Sequence, residues 1–326
     1  MNRSFNIAKL SFISGVHLGS GIGEEYDRSM RILHSDTISA ALCSTWAING
    51  GDVEQFMRSF RVSSAMPIYN NRVFLPLPLD KSCIHLAEYP DGSQHKRIKK
   101  LQWIEQPLWE KLAREGEIEI SAAMISGCGS AVAQGYANDI YIQKNSLEQK
   151  VAVIDGADNE PYYFDRVFFG KDVELGVLYE SLRPADFKST FSILADNGFG
   201  TRRTVGNGLF SVKFDTINID TAENVDGIQL LSLWLPKREE WCAEIIEGSC
   251  YDIISRGGFI SGSSDTTQRN KIKKSVNMIV AGSIISASSL EGDIIDVRPD
   301  SFVAHPVWRD GRAFHLPFKK LYNNEM

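Results

Sequence analysis

Apolar and polar positions alternate along residues 5–12, Phe5-Asn6-Ile7-Ala8-Lys9-Leu10-Ser11-Phe12. A period of two predicts an antiparallel strand, at an edge or half-buried, and it ends at Gly15-Val16-His17-Leu18-Gly19. Ser35, Asp36 and Thr37 then offer capping side chains to a run of small and apolar residues, 38–46, which predicts a helix packed closely on a sheet. A second helix is predicted over residues 53–60. Residues 72–79 read as a strand that leaves its sheet at Pro76 and Pro78, because proline cannot donate to the ladder. The basic segment 95–100 leads into a helix over residues 105–115. Residues 117–142, rich in small side chains and carrying Gly127, Gly129 and Gly135, read as an insert and a candidate hairpin.

The β pattern returns at residues 150–155, 162–169 and 175–179, and a helix over residues 187–195 delivers the chain to a glycine-rich stretch, 198–208, and a further strand. The polar connector 220–226 marks a domain boundary, giving domains 1–222, with an insert around 117–145, and 223–326. Beyond it come a strand (229–235), a helix (239–246), a strand (251–256), a basic loop, a strand (275–285) and a β pair around Asp310-Gly311. Strands separated by single helices, twice over, predict an α+β chain of two tandem ferredoxin-like (RRM-like) domains. Their antiparallel sheets would carry helices on one face, with the glycine-rich loop closing the first domain.

Composition changes this picture little: 326 residues, 43% hydrophobic and 23% charged, are ordinary for a folded chain of two domains. No apolar run approaches the roughly eighteen residues of a membrane span, and the expected location is the cytoplasm. The five cysteines form no Cys-x-x-Cys pair and are expected reduced and mostly buried, and no histidine stands at zinc-ligand spacing from a cysteine pair. Charge matters more. A net −6 excludes a chain that binds nucleic acid over its whole surface, so any such site is local.

The strongest local candidate is Gly198-Phe199-Gly200-Thr201-Arg202-Arg203-Thr204-Val205-Gly206-Asn207-Gly208. Two Gly-x-Gly pairs permit positive φ and close approach of backbone N–H groups to phosphate oxygens, and the central arginines add planar donors. Arg256-Gly257-Gly258-Phe259 combines a cation, permissive backbone and an aromatic, as a backbone clamp with a stacking platform would. Lys271, Lys273 and Lys274 could extend a phosphate track, and Lys96, Arg97, Lys99 and Lys100 form either a second basic patch or a solvated face. His17 has three readings: a general base for a ribose 2′-hydroxyl, a contact to a base or phosphate, or a turn residue. His305 and His315 read as strand-end residues. The sequence shows no Gly-x-Ser-x-Gly elbow, Walker loop, His-Glu-x-x-His or Asp-rich metal cluster.

The two Gly-x-Gly pairs resemble the C-terminal glycine-rich loop of the RAMP superfamily of CRISPR-associated proteins. Further segments narrow the resemblance: 16–19, 35–41, 74–78, 96–100, 175–179, 256–260 and the ending His305-Pro306-Val307-Trp308-Arg309-Asp310-Gly311-Arg312-Ala313-Phe314 occur in the order of the branch that supplies subunit four of the type III-A Csm effector complex. The resemblance implies two RRM-like domains without catalytic activity or cofactor, and a grip on the 5′ tag of the CRISPR RNA. It also implies contacts with the large polymerase-like subunit and the first backbone RAMP subunit, and no DNA or membrane contact of the chain's own. By position, the tag contacts would be His17, Gly19, residues 198–208 and residues 256–259. Whether the insert forms the superfamily's thumb-like hairpin stays open. Two alternatives stand beside this reading. One is a metal-independent endoribonuclease that processes CRISPR transcripts with His17 as base, and the other a nucleotide-binding enzyme that holds a triphosphate in the glycine loop.

Overall fold

A computed structural model describes residues 1–19, 26–88, 95–151, 161–260 and 271–320. Up to residue 220 the chain forms β1 (Asn2–Phe12), α1 (Ser35–Ile48), α2 (Val53–Arg58), β2 (Phe60–Val62), β3 (Met66–Tyr69), β4 (Arg72–Pro76), β5 (Ile84–Leu86), α3 (His95–Lys100), β6 (Trp103–Glu105), α4 (Gln106–Glu115), β7 (Ile118–Ile120), β8 (Ala131–Val132), β9 (Gln143–Val151), β10 (Pro161–Phe169), β11 (Val173–Ser181), α5 (Pro184–Asn197) and β12 (Phe210–Asp220). The remainder forms β13 (Gly227–Leu230), α6 (Ala243–Glu247), β14 (Ile253–Arg256), β15 (Val276–Ile279), β16 (Ile284–Ile285), β17 (Ile294–Asp296), β18 (Trp308–Asp310) and β19 (His315–Phe318).

The alternating first strand is central, not an edge. Every residue of β1 pairs antiparallel with β12, from Asn2 opposite Asp220 to Phe12 opposite Phe210. On its other side Asn6 to Leu10 pair with Tyr179 to Leu175 of β11. The principal sheet runs β12-β1-β11-β3-β4-β6-β8, with β2 also on β11. Neighbouring residues of a strand point to opposite faces, and both Ile7 and Ala8 are fully buried, so both faces of the sheet are covered. On one face Ala8 and Leu10 pack with Ile38 and Leu42 of α1 and with Phe187, Phe191 and Leu194 of α5. Each such buried aromatic or leucine contributes about 1.5–3 kcal/mol of transfer free energy. On the other face Ile7 packs with Phe74 and Trp109, and with Leu231, Phe314 and Phe318 from the C-terminal third.

The C-terminal third thus shares a core with the rest of the chain. Trp109 donates from Nε1 to Gln229 Oε1 (2.6 Å), and Gln229 Nε2 donates to the Pro76 carbonyl (2.7 Å), all three side by side in the buried interior. In this third β13 lies between β16 and β19, while β14 pairs with β15 and β17 with β18. Among the described residues it holds one α-helix, the five-residue α6.

Three local expectations are corrected. Helix α1 begins at Ser35, with His34 at the cap position and making no side-chain cap bond. Ser35 Oγ instead accepts from the Leu233 N–H (2.9 Å) and Asp36 takes arginines from the C-terminal third, so the residues read as caps are tertiary contacts. The insert 117–142 holds only a short antiparallel turn, with Ile125 bridging Val132 and the Ala133 N–H on the Met124 carbonyl (2.9 Å), while β7 pairs in parallel with β5 and β8 with β6. The hairpin is β9 with β10, nine residues each, so the strand placed at 150–155 ends at Val151, and the rest of that expectation lies outside the described residues. Cys43 and Cys83 are buried, Cys128 is exposed, and all five thiols are free. No described helix is long and apolar enough to cross a membrane.

Candidate nucleic-acid interface

The glycine-rich loop is set by the helix before it. Pro184 starts α5, where its missing N–H costs nothing, and Gly198 ends it at φ 75° with its N–H on the Leu194 carbonyl (2.8 Å). Gly200 and Gly208 are required by close backbone approach: a Cβ on the first would run into the His17 carbonyl oxygen, and on the second into that of Phe199. Gly206, at φ 84°, has open space around it. The loop is then stitched to the end of β1, with Thr201 N–H on His17 O (3.1 Å), Gly208 N–H on Gly15 O (3.0 Å) and Phe199 N–H on Gly208 O (3.0 Å).

This overturns one part of the sequence reading. The N–H groups of Gly198, Phe199, Thr201, Val205, Gly206 and Gly208 all donate to carbonyls of the protein, so the glycines build the loop and do not cradle a ligand with those amides. What the loop presents is its tip, where Arg202, Arg203, Thr204 and Val205 are exposed while Phe199 and Asn207 are buried. Arg202 sits in the left-handed region (φ 55°, ψ 39°) with its guanidinium carbon 5.0 Å from the centre of the Tyr162 ring, 5.5 Å from Phe164 and 5.6 Å from Tyr26. Arg203 has no ion pair, side-chain hydrogen bond or ring contact among the described residues. Asn207 accepts from Arg166 (3.3 Å), which also pairs with Glu148 and lies over Phe168.

His17 does not face solvent. It is 1% exposed, stacks on Phe164 at 5.0 Å, and its Nδ1 bonds the Asp165 carbonyl (2.7 Å). The side chain ties the segment after β1 to β10, next to the Val16–Val167 bridge. Gly19 is exposed, with open space around it.

Arg256 is also withdrawn from solvent. Its Nε and Nη2 donate to the two oxygens of Asp36 (2.9 and 3.1 Å), Nη2 also to Thr37, and Arg309 pairs with the same carboxylate and with the Gly257 carbonyl. Arg256, Arg309 and Asp36 are 6%, 6% and 1% exposed. Burial alone would raise the Asp36 carboxyl, but the two guanidiniums outweigh it and hold the group well below the usual carboxylate range. The clamp read from Arg256-Gly257-Gly258-Phe259 is therefore a buried ion cluster between α1 and the C-terminal third, in which Phe259 alone stays exposed, bridging Ile272. Lys273 lies near the cluster, and burial and the neighbouring Arg309 lower it to about 8. Lys271 bonds the Ser301 carbonyl and Lys274 pairs with Asp300 (2.7 Å), so these lysines form no free track.

Helix α3 presents Lys96, Arg97, Lys99 and Lys100 to solvent around the buried Ile98, which packs in the core on the sheet face away from α1 and α5. The fold does not bring this patch together with the glycine loop, whose Phe199 belongs to the opposite core. His305 bonds the Pro306 carbonyl and packs edge-on against Phe302 in a bend before β18, whereas His315 opens β19, so only the second serves a strand end. The sequence reading missed Tyr26, Tyr162, Phe164 and Arg166. The signal was present in the aromatic alternation of residues 162–169, but it reads equally as core.

Sheet, hairpin and loop give the chain a mixed α+β fold with several sheets. It superposes on a chain of the Csm3–Csm4 subcomplex of the type III-A CRISPR-Cas interference complex at TM-score 0.66 and 19% identity, covering 96% of this chain and 99% of that one. Against a chain of the Csm1–Csm4 cassette in complex with cA4 the values are 0.63, 17%, 98% and 100%. Against a chain of the type III-B Cmr-beta complex bound to target RNA they are 0.50, 13%, 86% and 85%. No curated protein sequence matches. Residues 223–318 match the family described as the CRISPR Csm4 C-terminal domain. The family match thus covers the C-terminal third, and the fold of the whole chain is similar to that of a chain in Csm4-containing assemblies.

Proposed function

We propose that this chain is the Csm4 subunit of a type III-A CRISPR effector. In that role it holds the 5′ tag of the CRISPR RNA and bridges a Csm1-type large polymerase-like subunit to a Csm3-type backbone subunit, in cytoplasmic antiviral defence. The observation that carries the RNA reading is the exposed tip 202–205, with an arginine that makes no ion pair or side-chain hydrogen bond among the described residues, mounted on a loop stitched to the body of the protein by its backbone and set beside an aromatic hairpin. A preformed cationic tip next to aromatic rings suits a single-stranded RNA end, whose phosphates supply affinity and whose splayed bases can stack. A chain of net charge −6 with a local RNA site leaves the rest of its surface to protein partners.

The same reading takes residues 1–222 as the first ferredoxin-like domain, its strands in the order β12-β1-β11 with α1 and α5 on one face, and residues 223–326 as a reduced second one. It assigns no catalytic group and no cofactor. The burial of His17 speaks against the endonuclease alternative, and the lack of a Walker lysine in the sequence against a triphosphate site. The test is binding of RNA with and without the 5′ tag by the subunit assembled with its Csm1 and Csm3 partners, together with incubation of a repeat-containing transcript in EDTA. Preference for tagged RNA and an intact transcript are expected. Equal binding of both RNAs, or cleavage to a 2′,3′-cyclic phosphate, would overturn the reading.

A further inference from the structure

The two adjacent arginines of the loop stand in different surroundings. Arg202 lies against three aromatic rings, and two of these, Tyr162 and Phe164, belong to β10 of the hairpin. Arg203 touches none of them. Among the described residues the hairpin's other ties lie at residues 164–167: Phe164 stacks on His17 (5.0 Å), the Asp165 carbonyl bonds His17 Nδ1 (2.7 Å), and Arg166 donates to Asn207 of the loop (3.3 Å). Val16 and Val167 exchange both backbone bonds, the Asp165 N–H reaches the Tyr26 carbonyl (2.8 Å), and the Asp165 side chain accepts from the Ser29 N–H (2.9 Å). Tyr162 lies beyond these ties, toward the hairpin's far end, and Arg202 is the group that reaches it. The backbone at Arg202 supports the same view: φ of 55° is a region that an L-residue enters at a cost, so the side chain is held there by what it contacts. Two backbone bonds, Thr201 to His17 and Gly208 to Gly15, anchor the loop beside it, so a guanidinium projecting from this loop can brace the hairpin against the body of the protein.

We infer that Arg202 and Arg203 divide the work of the loop: Arg202 is a positioning residue that fastens the hairpin to the glycine loop, and Arg203 is the cation left for an RNA phosphate. Only the second half rests on the RNA-binding reading. A guanidinium over aromatic faces is an interaction of modest strength that several rings reinforce. Removing it frees the outer hairpin without unfolding the sheet.

Hydrogen exchange of the full chain without RNA, and the salt dependence of its affinity for tagged RNA in the assembled complex, separate the two roles. In Arg202→Ala the amides of β9 and of the outer part of β10 are expected to exchange about threefold to tenfold faster. Tyr162→Leu, which leaves the loop intact, gives the same pattern, Arg202→Lys recovers part of the protection, and Arg203→Ala changes none of it. With RNA, Arg203→Ala lowers the slope of log affinity against log salt by about 0.7, the value for one phosphate on a single strand, whereas Arg202→Ala weakens binding at unchanged slope. Unchanged hairpin exchange in Arg202→Ala and Tyr162→Leu, or a slope loss in Arg202→Ala equal to that of Arg203→Ala, would overturn the positioning role. Faster exchange in Arg202→Ala with an unaltered slope in Arg203→Ala would keep the clamp and remove the RNA assignment.

Discussion

The glycine loop and the Arg256 cluster look alike in sequence and are opposites in the fold. Each sets arginine beside glycine at the end of a regular element, and each reads as a phosphate clamp. In the loop the arginines stand at an exposed tip, one over aromatic rings and one unpaired. In the cluster Arg256 and Arg309 are buried around the carboxylate of Asp36, and the glycines serve the turn that lets them reach it. Burial separates the two, and burial is decided by residues more than two hundred positions away: Asp36 on α1 meets Arg256 on β14 only because the C-terminal third packs on α1. A cation removed from water requires a partner, and once paired in the interior it is out of reach of a ligand at the surface.

The largest effect that tests this contrast is loss of the shared carboxylate. Asp36→Asn leaves two guanidiniums buried with one neutral acceptor between them, a change that typically costs about 3–5 kcal/mol. Denaturant unfolding should show that loss, with the salt slope of RNA binding unaltered in whatever protein remains folded. A loss below about 1 kcal/mol, within the range of exposed pairs, would place the cluster at the surface and reopen Arg256 as an RNA contact.

The second test uses pH. His34, at the cap position of α1 beside the same cluster, is lowered to about 4, first by burial and then by the nearby Arg256 charge, against an opposing contribution from Asp36. Its Nδ1 is buried with no hydrogen-bond partner among the described residues. The unfolded chain takes up a proton near pH 6.5 that the folded chain refuses until about 4. Stability is therefore fully present above about pH 6.5 and falls as the pH drops through this window, by about 3 kcal/mol in all. Asp36 is held below the ordinary carboxylate range, while His315, lowered chiefly by burial, acts in the same direction as His34, so the share that belongs to His34 is the part that His34→Gln removes. Unfolding free energies of the parent chain and His34→Gln between pH 7 and 4 should diverge in slope, and parallel curves would place His34 in contact with water.

The first two-thirds of the fold were legible because their signals are local. Alternation placed β1 and the β pattern of residues 162–169 placed β10, and the helix read over residues 187–195 is the core of α5, which runs from Pro184 to Asn197. The period of β1 could not tell that both its faces are buried, because Ile7 is covered by Phe314 and Phe318 from the far end of the chain. The same limit explains Ser35 and Asp36, whose side chains suit a helix cap but are taken by Leu233 and by Arg256 and Arg309. Of the candidate site, the loop's position and exposure were readable. Its chemistry was not, since internal use of the amides depends on Gly15 and His17 lying alongside, and the role of Arg202 depends on aromatic residues from two other segments.

The smallest effect separates the glycines within the loop. Gly200 and Gly206 share positive φ, 82° and 84°, and would suffer alike from alanine if conformation were all that mattered, at about 1–2 kcal/mol each. They differ in surroundings, because a Cβ at Gly200 meets the His17 carbonyl oxygen, which is backbone and also accepts from Thr201, whereas one at Gly206 meets nothing. Forcing atoms into such a contact adds about 1–3 kcal/mol. Gly200→Ala should thus destabilise the chain by roughly 2 kcal/mol more than Gly206→Ala, and it should disturb His17 and the base of the hairpin, which Gly206→Ala leaves alone. Equal losses would mean that the loop is not seated on the end of β1, and with that the rigid mounting of its cationic tip, which separates this site from the buried cluster, would be gone.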